Sequence, residues 1–340
     1  MKSKIYYSEN INTKAIEKLF EKVVQMQEIE GKTAVKTHFG EKGQTRYVNP
    51  EHVKKIYELI KEKTNDCFLS DTNTLYRGMR TNATNHKKIA LEHGFDFAPI
   101  VIADGEDGNE YNEVKINKKH FDKAHIAKGY EDVDTFVVVS HFKGHILHGF
   151  GGALKNLSMG CANRAGKLAM HSKISPYLKK GCTACGTCVK KCPADAIKIE
   201  NETAVIENKK CIGCAECIAV CPKGVIKVPF DGASENEVIE RSAEYAYAAV
   251  KDKKCVYFTF INNITRLCDC ISDSEIIGKD AGVIAGTDPV AMDWAAYDLL
   301  KEKNDGVDVF RQAGNPDGTL IMKYAEELNM GTSGYEIERV

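Results

Sequence analysis

The chain has 340 residues, of which 43% are apolar and 28% charged. That is enough apolar material for a sizeable core, and the length suggests about two domains. With 47 basic against 48 acidic residues the net charge is −1, which excludes nucleic-acid or membrane-surface binding driven by bulk charge. No apolar stretch approaches the ~18–20 residues that span a bilayer, and the start, Met-Lys-Ser-Lys-Ile-Tyr-Tyr, has no apolar leader core. Thirteen cysteines without a leader point to a cytoplasmic, reducing setting in which thiolates serve metal rather than disulfides.

In chain order the first predicted strand, 33–38, ends at His38-Phe-Gly-Glu41. A helix follows at Asn49-Pro50-Glu51, where a cap, a proline in the first turn and an acid coincide. The strand 67–70 ends at Asp71-Thr-Asn73, and a helix over 82–93 stops at Gly94, a C-cap glycine. Further strands are expected at 100–103 and 135–140, the latter running into His141-Phe-Lys143-Gly-His145. Residues 141–171 are rich in glycine and carry His141, His145, His148, Lys155, Asn156, Cys161, Arg164 and His171. The glycines allow close backbone approach, and a glycine-rich turn before a helix can take an anion. The order of residues matches neither a P-loop nor a dinucleotide fingerprint.

Two cysteine runs follow. They are Cys182-x-x-Cys185-x-x-Cys188-x-x-x-Cys192-Pro193 and Cys211-x-x-Cys214-x-x-Cys217-x-x-x-Cys221-Pro222, a repeat offset by 29 residues. Three thiolates at this spacing wrap one corner of an iron–sulfur cube, and the fourth, before proline, reaches the other cube. Cluster one therefore takes Cys182, Cys185, Cys188 and Cys221, and cluster two takes Cys211, Cys214, Cys217 and Cys192. Structural zinc needs two pairs of ligands and no third cysteine in step, so it fits poorly. Short alternating stretches at 196–199 and 225–228 read as strands over the cubes. The segment 178–229 resembles a bacterial two-[4Fe-4S] ferredoxin, a small α+β module. Such oxygen-labile cubes suggest an anaerobic host.

Beyond the module, Ser234-Glu-Asn-Glu237 is a capping box opening a helix to about residue 250. Strands at 256–261 and 282–285 follow, the second leading to Asp288-Pro289 at the start of another helix. Most of these strands are short Val-, Ile- and Phe-rich runs, the mark of parallel strands buried on both faces. The expected fold is an α/β domain, 1–177 plus 230–340, with a mostly parallel sheet, helices on both faces and the module inserted. Several strands release a polar group just past the carboxyl end, where open parallel sheets bind ligands. Cys67 and Cys255 open apolar strands and read as structural. Cys161 and the Cys268-Asp269-Cys270 pair could complete a third metal site with His145 or His171.

The segments Thr37-His-Phe-Gly-Glu41, Asp71-Thr-Asn-Thr-Leu-Tyr76, Gly152-Ala-Leu-Lys155-Asn156, Gly160 and Asp288-Pro-Val-Ala-Met-Asp293 resemble the family called domain of unknown function 362. The resemblance covers nearly the whole chain. It implies an iron–sulfur α/β protein with Lys155, Asn156, Asp288 and Asp293 in a shared core motif, and it supplies no reaction. The expected function is an oxidoreductase with two [4Fe-4S] clusters serving a pocket at the carboxyl edge of the sheet. There His145, Lys155 and His171 would act in catalysis. His38, Asp71, His141, Asn156 and Asp288 would hold a small anionic or carbonyl ligand. An external ferredoxin, flavodoxin or reductase would exchange electrons with it. The alternative is a non-catalytic electron carrier or assembly partner. A pure carrier has no use for so many residues beyond the module.

Overall fold

The computed structural model describes residues 2–340 apart from Ile174, Asp231, Ser272 and Asp273. Its centre is an eight-stranded sheet in the order Tyr335–Arg339, Ser3–Ser8, Gly282–Gly286, Lys254–Ile261, Thr135–His141, Thr33–Lys36, Cys67–Asp71, Ile100–Ile102. Neighbours pair in parallel except around Gly282–Gly286, which runs against both of its neighbours. Seven strands thus share one direction and one is reversed. The sheet draws on the chain both before and after the cysteine-rich segment. The two strands added to the expected set, Ser3–Ser8 and Tyr335–Arg339, pair with each other at one end of the sheet. Both mix charge with apolar residues, so neither shows the buried-strand pattern.

The central strands feed two cores by simple alternation. Ala34, Phe136, Val138, Tyr257 and Ile284 face one core, which is closed by the helices Ala153–Cys161, Glu235–Val250, Pro289–Lys303 and Thr319–Glu327. Val35, Val137, Val139, Phe258 and Val283 face the other, under Thr13–Met26 and Pro50–Lys61. Fully buried aliphatic runs of this kind are what a sheet covered on both faces requires. The predicted caps form: Asn49 accepts from the Glu51 amide, and Ser234 and Glu237 make a reciprocal box. Gly94 holds φ +88°, ending the Ala83–Glu92 helix. Among the described residues no helix is long and apolar enough to cross a membrane.

The cysteine-rich segment forms a third core, joined by Leu75 and Leu168 from outside it. Tyr177–Leu178 pairs with Ile226–Lys227, and Ile197–Glu200 with Thr203–Ile206, both antiparallel. Tyr177 thus pairs with a strand of this segment. The repeat extends to the backbone. Ala184 and Gly186 around Cys185 have φ of 50° and 73°, and Gly213 and Ala215 around Cys214 have 71° and 59°. Left-handed residues on both sides of the middle cysteine bend the chain so that successive thiols face a common point. Two alanines hold this conformation despite its cost, and strain of that kind collects at functional sites.

Candidate functional site

A cavity of about 130 Å³ opens at the carboxyl edge of three adjacent strands. Lys36 and His38 come from the end of Thr33–Lys36, Asp71 from Cys67–Asp71, and His141 from Thr135–His141. The volume holds several waters or a small organic ion.

The floor is a buried charge network. Lys36 shares the face of Ala34 by strand alternation and so points at the Ala153–Cys161 helix. Its fully buried Nζ lies 3.0 Å from Asp71 Oδ1 and donates to Asn156 Oδ1 at 2.9 Å. Asn156 donates in turn to Val139 O and Ser140 Oγ, both at 3.0 Å. Asp71 Oδ2 faces Arg80 at 3.5 Å and His86 at 3.6 Å. Burial penalises the Asp71 carboxylate, but Lys36 and His86 outweigh it and hold the carboxyl well below its ordinary range. The Lys36 chain passes so close beneath Gly160 that a side chain there would collide with it.

Lys155 lies in the first turn of the Ala153–Cys161 helix, not in the glycine turn where the sequence placed it. Nor is the N-terminus of that helix free for an anion. Asp293 accepts from the Ala153 and Leu154 amides at 2.6 and 3.1 Å, and a side chain on Gly152 would strike its carboxylate. Burial pushes the Asp293 carboxyl up to about 7 against its two amide donors. Lys155 itself lines the cavity and has no hydrogen-bond or ion-pair partner among the described residues. Burial lowers its pKa although Cys268 and Cys270 oppose the shift.

The roof is the loop of residues 268–270 with its partners. His38 Nδ1 accepts from the Gly40 amide at 3.0 Å, so in the neutral ring Nε2 carries the proton and points at Cys270 Sγ, 3.5 Å away. Burial keeps His38 below its ordinary value. Arg80 Nη2 donates to the same sulfur at 3.2 Å and its Nε to Glu41 at 3.3 Å. A hydrogen bond from Cys268 outweighs the penalty of burial and, with Arg80 and His38, holds the Cys270 thiol well below its ordinary value. Asp269, between the cysteines, is gripped by His141 Nδ1 at 2.9 Å and Lys143 Nζ at 3.0 Å. The other ring nitrogen of His141 faces Asn262 O at 2.7 Å.

The predicted residues divide cleanly. His38, Asp71, His141, His145, Lys155, Asn156 and His171 share the cavity with Cys268 and Cys270. The roles given to two histidines change. Burial, and then Lys155, hold both His145 and His171 below the ordinary histidine value, His171 at about 4. They are neutral at physiological pH and suited to hydrogen bonding rather than proton donation. His145 Nδ1 accepts from the Leu147 and His148 amides at 3.2 Å, which leaves Nε2 as its donor. His171 Nδ1 is buried and without a hydrogen-bond partner.

Asp288 is not part of the cavity. It follows the one reversed strand, so the carboxyl end of that strand lies at the opposite edge of the sheet. There it caps Pro289–Lys303 through the Val290 and Ala291 amides and accepts from Ser3 Oγ at 2.6 Å. Cys161 is fully buried in the helix-covered core, outside the cavity, and burial pushes its thiol up to about 12. It therefore completes no ligand set with Cys268 and Cys270. The residues missed by sequence reasoning are Lys36, Arg80, Lys143 and Asp269. Lys36 gave a signal as a lysine inside an otherwise buried strand, and Lys143 and Asp269 lay within runs singled out for other residues.

Two smaller cavities lie in the cysteine-rich segment. Cys182, Cys185, Cys188 and Cys221 line the first, while Cys192, Cys211, Cys214 and Cys217 line the second. Each run thus lends its fourth cysteine to the other cavity. Among the described residues no group of three or more His, Cys, Asp or Glu converges tightly enough for a single metal ion. A four-iron cube binds one thiolate per corner, and each cavity is lined by four cysteines. Amides of Ala184 and Ala196 point at Cys182 and Cys192 sulfurs at 3.4 and 3.3 Å. The apolar linings and N–H donors fit such a cube.

Residues 72–81 join the two regions. Leu75 lines the large cavity and also packs in the core of the cysteine-rich segment with Cys188, Cys217 and Cys221. Arg77 donates to Pro222 O at 2.6 Å, and Arg164 grips Glu216 at 2.6 Å from the neighbouring helix.

A family model described as Domain of unknown function (DUF362) matches residues 33–298, so the chain belongs to that family. No curated protein matches it. Among solved structures it is similar to a Thermotoga maritima protein determined by a structural genomics consortium (11% identity, TM-score 0.42, 90% of this chain and 60% of that one). It is also similar to the lactate racemase apoprotein of Thermoanaerobacterium thermosaccharolyticum (13% identity, TM-score 0.42, 84% of this chain and 54% of that one). The chain thus spans between half and two thirds of either structure.

Proposed function

We propose that this member of the DUF362 family is a cytoplasmic iron–sulfur oxidoreductase that holds two [4Fe-4S] cubes in its cysteine cavities and exchanges electrons with a small anionic ligand in the large cavity. The observation that carries the reading is the crossed division of eight cysteines between two cavities, in a module whose core shares Leu75 with the third. Bound cubes would supply low-potential one-electron transfer. An external electron carrier would complete the circuit.

The chain's own residues supply the rest. Lys155 is a half-buried cation with no hydrogen-bond or ion-pair partner among the described residues, and a ligand anion would provide one. Its lowered pKa also brings its proton closer to neutral pH, so it can release that proton to a ligand gaining electrons. His145 Nε2 offers a fixed N–H to a ligand oxygen, and Lys36 with Asn156 holds the Lys155 helix against the strand ends. A carrier without a substrate has no need of an unpaired cation in a cavity, which favours the enzyme. Anaerobic iron and acid-labile sulfide analysis should give about eight of each per chain, four per cube. About two irons or stoichiometric zinc would overturn the assignment.

A further inference from the structure

We propose that Cys268 and Cys270 form a dithiol couple in the large cavity that reduces a small anionic disulfide by thiol–disulfide exchange. Both sulfurs line the cavity, and they differ in role. Cys270 receives the N–H of Arg80 at 3.2 Å and faces the Nε2 of His38 at 3.5 Å. Two nitrogen donors on one sulfur stabilise the thiolate, the form that attacks. Cys268 receives neither of these donors. One residue separates the pair, and that residue, Asp269, is anchored by His141 and Lys143, so the loop presents both sulfurs together. Lys155 lies in the same cavity, and with no partner of its own it selects an anionic substrate.

The exchange balances without any further reagent. The Cys270 thiolate attacks one sulfur of the substrate. A mixed disulfide forms as the substrate S–S bond breaks, and the departing thiolate takes the bonding pair. Cys268 then attacks the Cys270 sulfur, the mixed disulfide breaks, and the second substrate thiolate leaves. The Cys268 proton goes to one of the two products. The substrate gains two electrons and the cysteine pair loses two, closing a Cys268–Cys270 disulfide. Reopening that disulfide takes two electrons and one proton. Two one-electron centres match this count, so the return half rests on the iron–sulfur reading above, while the exchange half does not.

The test uses the cluster-loaded protein, anaerobically, with dithiodiglycolate as the anionic probe and cystamine as a cationic probe of similar size. Peptide mapping by mass spectrometry reads the peptide that carries both cysteines. The expected result is an internal Cys268–Cys270 disulfide, formed roughly tenfold or more faster with dithiodiglycolate than with cystamine, in line with charge-guided association. Cys268→Ser should trap the mercaptoacetate adduct on Cys270, and Lys155→Met should remove the preference between probes. An adduct on Cys268 in the Cys270→Ser chain at the wild-type rate would overturn the assignment. So would a faster reaction with cystamine, or an unmodified peptide under conditions where the same probe oxidises a free small-molecule thiol in a parallel sample. The wild-type map needs no variant to fold. Because it counts thiols and not iron, a wrong cluster content leaves this result standing, and an inert pair leaves the clusters standing.

Discussion

Lys155→Met separates ligand binding from folding more sharply than any other single change. In the wild type the half-buried ammonium lines the cavity and makes no hydrogen bond or ion pair among the described residues. Burying a cation costs free energy that only a partner recovers. Methionine keeps the length and the apolar stem contacts, so the ligand-free variant should be more stable than wild type by about 1 kcal/mol, the lower end for replacing buried charge by apolar side chains. For a chain of 340 residues that is about 1–2 °C in melting temperature. Binding should move the opposite way. A charge-assisted hydrogen bond is worth about 1.5–3 kcal/mol, so affinity for a small anion such as malonate should fall about 10- to 150-fold. Anaerobic thermal unfolding read by near-UV dichroism, with and without malonate, measures both quantities. A variant that melts several degrees below wild type would show that the ammonium pairs within the protein. The cavity would then not be an anion site.

Lys36→Met should cost about 3–5 kcal/mol, because it strands the buried Asp71 carboxylate. Adding Asp71→Asn should restore much of that loss in urea unfolding, and a double variant as weak as the single one would refute the pairing. Asp293→Ala should cost about 1–2 kcal/mol, as it uncaps the Lys155 helix. Asp293 also sets a pH dependence. Its folded carboxyl, at about 7 against an ordinary 3.8, keeps a proton that the unfolded chain releases. The associated stability is complete below about pH 4 and lost as pH rises through about 7. Asp293→Asn should flatten that slope, and an unchanged slope would assign it elsewhere. On the proposed cluster assignment, Cys192→Ala should damage the cluster of the cavity lined by Cys211, Cys214 and Cys217 and spare that of the cavity lined by Cys182. Electron paramagnetic resonance of the reduced variant decides, and loss of the Cys182 signal alone would refute the crossing.

The sequence carried the buried parallel strands well, since a run such as Phe136–Val139 has no reading other than burial on both faces. It located most of the cavity because His38, Asp71 and His141 follow strands that share a direction. Asp288 failed for the same reason that the others succeeded. Nothing in Gly-Val-Ile-Ala-Gly tells a reversed strand from a parallel one, because direction is set by connections and not by composition. Arg80 and His38 lie outside the strands and the long helices, and their convergence on one sulfur depends on tertiary placement alone. Lys155 was found, but its setting was misread, because Gly152 before it serves the approach of Asp293 and not a ligand.

The sharing of Leu75 between the cavity and the cysteine-rich core has a bearing on how such chains can diversify. An inserted module that merely hung from its host could be lost or exchanged between relatives with little harm. Here excision of 178–229 would bare Leu75 and Leu168 to water and deprive the nearly buried Arg164 of Glu216. The loop of residues 72–81, which forms one side of the cavity, would lose its footing. Insert and host are therefore bound to change together. A relative lacking the insert must rebuild that wall with other residues, and its cavity will differ in shape.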